Sequence, residues 1–190
     1  MKIRLCFLAS SILLMMPLQG CVPVVAAGLG TGVLMAQDRR SSETFIEDQR
    51  MESKISVLIA NEFKGVMHVN VTSFNFNILL TGEVPEEYSR AEIGKLVSRV
   101  EKVRKVNNEL AISPNSSLGS RSNDSLITSN VKFRFLNNSH FNPEHVKVIT
   151  EDGTVFLLGI VNHTEADAAA EIASTTSGVK RVVKLFEYLD

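Results

Sequence analysis

Along the chain the apolar positions fall into two recurring spacings. Met51, Ile55 and Leu58/Ile59 stand three or four residues apart, and so do Ile127, Val131 and Phe135, which puts each set on one face of an α-helix. Asp48 and Asp124 precede these runs and are candidate N-caps. Val146 and Val148 then alternate towards one face, Asp152-Gly153 offers a two-residue hairpin turn with positive φ, and residues 154–161 read as the return strand. Thr164 with Asp167 resembles a capping box short by one methylene, ahead of an Ala-rich helix through Ile172. Residues 182–189 alternate as a last strand. In the first half, Glu86 and Glu87 sit in the first turn of a helix begun at Pro85, where negative charge suits the dipole. The predicted order is helix, strand, strand, helix, strand.

That order occurs twice. His68-Val69-Asn70-Val71 recurs as His145-Val146-Lys147-Val148, and Ile78-Leu79-Leu80-Thr81-Gly82 recurs as Val155-Phe156-Leu157-Leu158-Gly159, both at an offset of 77 residues. Val103-Arg104-Lys105-Val106 matches Val179-Lys180-Arg181-Val182 at 76. Three matching blocks with one gap indicate a tandem duplication, and two copies do not make a solenoid. Ser113-Pro114-Asn115-Ser116-Ser117 and the residues to Ser120 are of loop type and separate the copies. One position breaks the correspondence: Phe76 stands where the second copy has Gly153, and phenylalanine tolerates positive φ poorly. The first hairpin is therefore expected to use a longer or different turn. Gly82 and Gly159 read as structural glycines that let the return strands approach a helix, and Gly153 as the turn glycine.

The N-terminus has another character. Lys2 and Arg4 form a basic start, and Leu5 to Met16 an apolar run too short for a membrane span of about 20 residues. Leu18-Gln19-Gly20-Cys21 then resembles the lipobox of bacterial lipoprotein signal peptides. The resemblance implies removal of residues 1–20, a diacylglyceryl group on the Cys21 sulfur and a palmitate-type acyl chain on its amino group. Several acyl chains at about 0.8 kcal/mol per buried CH₂ give a stable anchor. Val22, not Asp, follows the cysteine, which in that resemblance directs the chain to the outer membrane. Residues 21–43, with Gly28, Gly30 and Gly32, are expected to be a lipidated, flexible tether.

Loss of residues 1–20 removes two bases and no acid, so the net charge goes from −1 to −3, which argues against sequence-blind nucleic-acid binding. Cys6 leaves with the signal and Cys21 is acylated. No thiol is left for a disulfide, and both copies must hold by core packing.

The lipobox, the doubled pattern, the paired Gly82 and Gly159, Ser122-Asn123-Asp124 before Ile127-Thr128, and Ser177-Gly178-Val179-Lys180-Arg181-Val182 together resemble the dual BON-domain outer-membrane lipoproteins. A looser similarity extends to osmotically induced BON proteins. The resemblance implies an α+β fold of two tandem BON domains, residues 44–112 and 122–190, joined by a linker at 113–121. Each would be α-β-β-α-β with its helices on one face of a small mixed sheet. It also implies phospholipid binding, with anionic lipid the expected partner, a periplasm-facing outer-membrane location, a role in envelope integrity, and no catalysis. No cofactor is expected beyond the covalent lipid on Cys21.

Enzyme signatures such as Gly-x-Ser-x-Gly, a P-loop or His-Glu-x-x-His do not occur. His68, His140, His145 and His163 lack ligand spacing, and a metal role for the repeat pair His68/His145 would need both domains to meet. At 100° per residue, Leu126 and Phe133 fall together off the core stripe of Ile127, Val131 and Phe135, beside Asn130. Fully withdrawn from water, that pair is worth about 3–6 kcal/mol. Arg121 and Arg134 are candidates for lipid phosphates, at about 1 kcal/mol each near an anionic surface. Two alternatives stay open: the stripe packs on the first domain, or it docks an outer-membrane assembly machine.

Overall fold

The computed structural model describes residues 38–63 and 67–189. Cys21, the signal and most of the expected tether lie outside the described residues. The first copy comprises α1 (Ser42–Glu62), β1 (His68–Phe74), β2 (Asn77–Val84), α2 (Glu87–Ser98), β3 (Lys105–Asn108) and β4 (Ala111–Ile112). The second comprises α3 (Leu118–Leu136), a single 3-10 turn (Pro143–His145), β5 (Val146–Glu151), β6 (Thr154–Val161), α4 (His163–Ser174) and β7 (Arg181–Tyr188). In each sheet the hairpin strands are antiparallel and the last strand runs parallel to the central one, in the orders β1-β2-β3 and β5-β6-β7. The α+β fold with small mixed sheets is as the pattern predicts.

Why the central strands read as unbroken apolar runs follows from their two buried faces. Ile78 and Leu80 of β2 pack with Met51, Ile55 and Ile59 of α1 and with Ile93 and Val97 of α2. Val155 and Leu157 of β6 pack with Ile127, Val131 and Phe135 of α3 and with Ala166, Ala169 and Ala173 of α4. The alternate residues point the other way. Leu79 joins Phe74, Phe156 and Leu158 in a third core, flanked by Ile149, Val183 and Leu185. The helix-free faces of the two sheets thus bury each other.

Polar contacts rim this third core. Glu187 of β7 accepts from the side chains of Asn75 (2.9 Å) and Asn77 (2.7 Å), and Lys147 pairs with Glu52 (2.9 Å). The segment entering α1 crosses the same junction. The Arg39 guanidinium donates to both oxygens of Glu165 (2.6 and 2.8 Å) and to the Ile160 carbonyl (2.8 Å). Buried Arg40 pairs with Asp38 and Asp48 and lies 4.0 Å over the Phe74 ring. Residues 38–40 are therefore pinned to both domains, whereas the sequence suggested free tether as far as residue 43. The charged side chains find buried carboxylates on either side of the junction, and this long-range pairing holds the segment down.

Several local expectations are corrected. The helices are capped seven residues before the predicted positions, at Ser41 and Ser117, whose hydroxyls accept from Thr44 and Ser120 N–H. Asp48 and Asp124 lie mid-helix and buried, and each caps a hairpin: Asp48 accepts the N–H of Asn75 (2.7 Å) and Phe76 (2.9 Å), Asp124 those of Asp152 (2.9 Å) and Gly153 (2.8 Å). The first hairpin uses the same two-residue turn as the second, with φ of 51° and 63° at Asn75 and Phe76 against 44° and 70° at Asp152 and Gly153. Two bonds to a buried carboxylate and the packing of the Phe76 ring into the first core hold phenylalanine in the left-handed region. The capping box at α4 is Asn162 with Glu165, not Thr164 with Asp167, because Asn162 is the residue with extended backbone just before the helix. Asp167 pairs instead with Lys184.

Gly82 and Gly159 do permit a close approach, but to a strand and not to a helix. A Cβ at Gly82 would lie 2.0 Å from the His68 carbonyl oxygen, and one at Gly159 2.4 Å from that of His145. Both oxygens belong to residues at the start of the neighbouring hairpin arm, where the strand crosses over the glycine.

Candidate functional site: the outer face of helix α3

α3 is amphipathic in an uncommon sense. Its inner face carries Ile127, Val131 and Phe135, all buried in the second core. Its outer face carries Leu118, Leu126, Phe133 and Leu136, exposed at 81, 64, 66 and 67 %. At 100° per residue these four span about 80° of the helix, with Asn130 at the edge of the stripe. Leu118, Leu126 and Phe133 take no part in the core between the two sheets, whereas Leu136 also borders the seam with the first domain, beside Phe45 and Phe74.

The matching helix of the first copy differs. At the same offset of 76 residues, Ser42, Arg50, Val57 and Ala60 of α1 replace Leu118, Leu126, Phe133 and Leu136. α1 carries five acids and two bases. α3 carries Arg121, Lys132 and Arg134 against one acid, Asp124, which is buried and engaged in the hairpin. Duplication has thus left one helix acidic and polar outside and the other basic and apolar.

The two arginines singled out on sequence have intramolecular work. Arg134 donates to the Ile172 carbonyl (2.7 Å) and to the hydroxyls of Thr176 (2.7 Å) and Thr175 (3.0 Å), tying α3 to the end of α4. Arg121 reaches back to the Ser116 hydroxyl (3.2 Å) and carbonyl (3.4 Å). Lys132 is exposed between them and has no hydrogen-bond or ion-pair partner among the described residues. Beside Phe133 an open groove of about 880 Å³ runs between α3 and α4, walled by Asn137, Asn138, Glu171 and Ile172. Leu118, Leu136 and Lys132 were not singled out from sequence. The i, i+7 spacing that paired Leu126 with Phe133 does not reach Leu118 once the helix is taken to begin at Asp124.

His145 is half-buried with Nδ1 3.5 Å from Glu165, and His163 stacks on Tyr188 at 4.1 Å. Among the described residues no group of three or more His, Cys, Asp or Glu side chains gathers as a metal site, and no helix is long and apolar enough to cross a membrane. The Arg39 guanidinium beside Glu165 holds that carboxyl below the usual carboxylate range against the opposing effect of burial.

A doubled α-β-β-α-β unit with a small mixed sheet built on a hairpin, to which β4 adds a fourth strand in the first copy, defines a class, and the sequence comparisons agree with it. The chain belongs to the BON domain family, which matches residues 47–114 and 123–190. It is 41 % identical over 175 residues to the outer membrane lipoprotein DolP of Haemophilus influenzae, covering 91 % of each chain. It is 34 % identical over 154 residues to a 21 kDa hemolysin of Actinobacillus pleuropneumoniae, with 80 % of this chain and 79 % of that one covered. A more distant relative, the osmotically-inducible protein Y of Escherichia coli, is 28 % identical over 148 residues, covering 73 % of this chain and 71 % of that one.

Proposed function

We propose that this chain is an outer-membrane lipoprotein, acylated at Cys21 and facing the periplasm, that binds phospholipid through α3 of its second BON domain and so helps maintain the cell envelope. It works by binding and not by catalysis. The location and the lipid anchor rest on the lipobox-like Leu18-Gln19-Gly20-Cys21 and on similarity to an outer membrane lipoprotein over nine-tenths of the chain. The observation that carries the lipid reading is the exposed apolar stripe of Leu118, Leu126, Phe133 and Leu136 on a helix whose only acid is buried. Monomeric proteins seldom leave such a stripe unpartnered. Each large apolar side chain fully withdrawn from water contributes about 1.5–3 kcal/mol, ample for a domain already tethered at the surface. Lys132 and the unsatisfied donors of Arg121 favour an anionic surface, and Asn130 can meet headgroups at the stripe's edge. Arg134 acts as a strut that fixes the angle of α3, with its guanidinium already engaged.

Flotation tests this reading. The mature chain, residues 21–190 with Cys21→Ser so that it cannot be acylated, is mixed with vesicles with and without anionic lipid, at low and high salt. Binding should require anionic lipid and weaken as salt rises. It should be lost in Leu126→Asp/Phe133→Asp while the melting temperature stays within a degree or two, because both side chains are exposed. Absence of flotation by the parent chain would defeat the lipid reading and leave α3 as a surface for a protein of the outer-membrane assembly machinery.

A further inference from the structure

A second, smaller cavity lies where the two domains meet, on the side of α3 next to Leu136. It holds about 370 Å³, within the range of small-molecule sites. Its floor is aromatic and its walls come from both copies. Phe45 and Phe74 enter from the first domain with Arg40 stacked between them, 5.0 Å from one ring and 4.0 Å from the other. Leu136 enters from α3. Arg40 is fully occupied by Asp38 and Asp48, so it shapes the wall and offers no charge to a ligand. Lys147 also borders the cavity and is engaged by Glu52 (2.9 Å), as Asp38 is by Arg40. The remaining charges are Lys132 at the edge of α3 and Glu144 in the 3-10 turn, both exposed. Among the described residues neither the Lys132 ammonium nor the Glu144 carboxylate has a partner.

An apolar slot whose rim carries one free cation and one free anion selects among amphiphiles. A fatty-acid anion would satisfy Lys132 and be repelled by Glu144. A purely cationic detergent meets the opposite problem. A headgroup with a phosphate and an ammonium in series satisfies both with charge-assisted hydrogen bonds. We infer that this interdomain cavity is a binding site for a single-chain zwitterionic phospholipid, with its acyl chain against Phe45, Phe74 and Leu136, its phosphate on Lys132 and its ammonium on Glu144. The site shares Leu136 and Lys132 with the end of the stripe, does not include Leu126 or Phe133, and would hold one detached lipid, not a bilayer surface.

The test is calorimetric titration of the same mature Cys21→Ser chain, residues 21–190, with lysophosphatidylethanolamine below its micelle concentration. One-to-one saturable binding is expected, weakened about tenfold or more by Lys132→Glu. Gln49→Trp, which puts a large ring at a cavity-lining position, should abolish it. Glu144→Ala should weaken the zwitterion and strengthen binding of a fatty-acid anion of equal chain length. Leu126→Asp/Phe133→Asp, which lies outside the cavity lining, should leave the titration unchanged while abolishing vesicle flotation, so loss of the membrane face is distinguishable from loss of this site. No saturable binding, or binding indifferent to both Lys132→Glu and Gln49→Trp, would overturn the inference. So would a fatty-acid anion binding as tightly as the zwitterion to the parent chain, or loss of the titration with the flotation variant.

Discussion

Asp48 and Asp124 perform one task 76 residues apart, each holding a hairpin turn from the middle of a helix. A buried carboxylate that accepts two backbone N–H groups cannot be removed without orphaning both donors, and each orphan costs about 1–3 kcal/mol. Asp124→Ala should therefore destabilise the chain by about 2–4 kcal/mol in urea unfolding, and Asp48→Ala by at least as much, since Asp48 also pairs with buried Arg40. Glycine 82 makes the opposite kind of demand. With φ of +111° and its would-be Cβ 2.0 Å from a backbone oxygen, Gly82→Ala should cost about 2 kcal/mol or more, read as a shift of the urea midpoint. The importance of both glycines and of the Asp152-Gly153 turn was legible in the sequence, because positive φ and close approach leave a residue-type signature. The work of the aspartates was not. An acid just before an apolar helical run looks like an N-cap, and its real partners lie 27 to 29 residues away in sequence. For the same reason Phe76 misled: its cost at positive φ is local, while its compensation comes from a distant carboxylate and from core packing.

Among the elements, α1 and α3 share an inner face and differ outside. The inner faces were legible throughout, since every residue assigned to the core of α3 is buried. The outer face was only half legible, because Ser117 and not Asp124 starts the helix, and a stretch read as linker supplies Leu118. The difference between the helices yields a prediction at this scale. Arg50→Leu/Ala60→Leu in α1 adds two large apolar groups at positions that match Leu126 and Leu136. It should give little gain in vesicle binding, because α1 stays net acidic, with five acids against one remaining base. Leu136→Asp in α3 should weaken vesicle binding about tenfold or more, as loss of one buried large apolar side chain implies. Flotation of both variants beside the parent decides it. Equal gains from apolar residues on either helix would make hydrophobicity alone sufficient and remove charge from the account.

Across the whole molecule, the two sheets bury their helix-free faces in one another, and the segment entering α1 is clamped over the seam. The duplication was legible but the stacking was not. Runs such as 155–158 tell that a strand is buried on both sides without telling what covers the second side. The clamp has a pH signature. Glu165 is held below the ordinary carboxylate range, chiefly by the hydrogen bonds from Arg39. A carboxyl whose folded value is depressed binds its proton more readily when unfolded. Its stabilisation is therefore complete above the unfolded value near 4.5 and disappears as pH falls through the folded one. Glu165→Gln should thus lower the melting temperature at pH 7, by roughly 2–4 °C for each kcal/mol that the bidentate pair supplies. The gap to the parent should hold steady from pH 6 to 8, start to narrow below about 4.5 and close as the pH falls through the depressed folded value. Arg39→Ala should reproduce the loss at pH 7 and flatten the same acid limb, because it removes the cause of the shift. A chain begun at Ser41 lacks the clamp altogether and should melt like Arg39→Ala or lower, since Arg40 is lost with it. If instead parent and Glu165→Gln differ by as much at pH 3 as at pH 7, the carboxylate's charge contributes nothing. The clamp would then reduce to the contact of Arg39 with the Ile160 carbonyl.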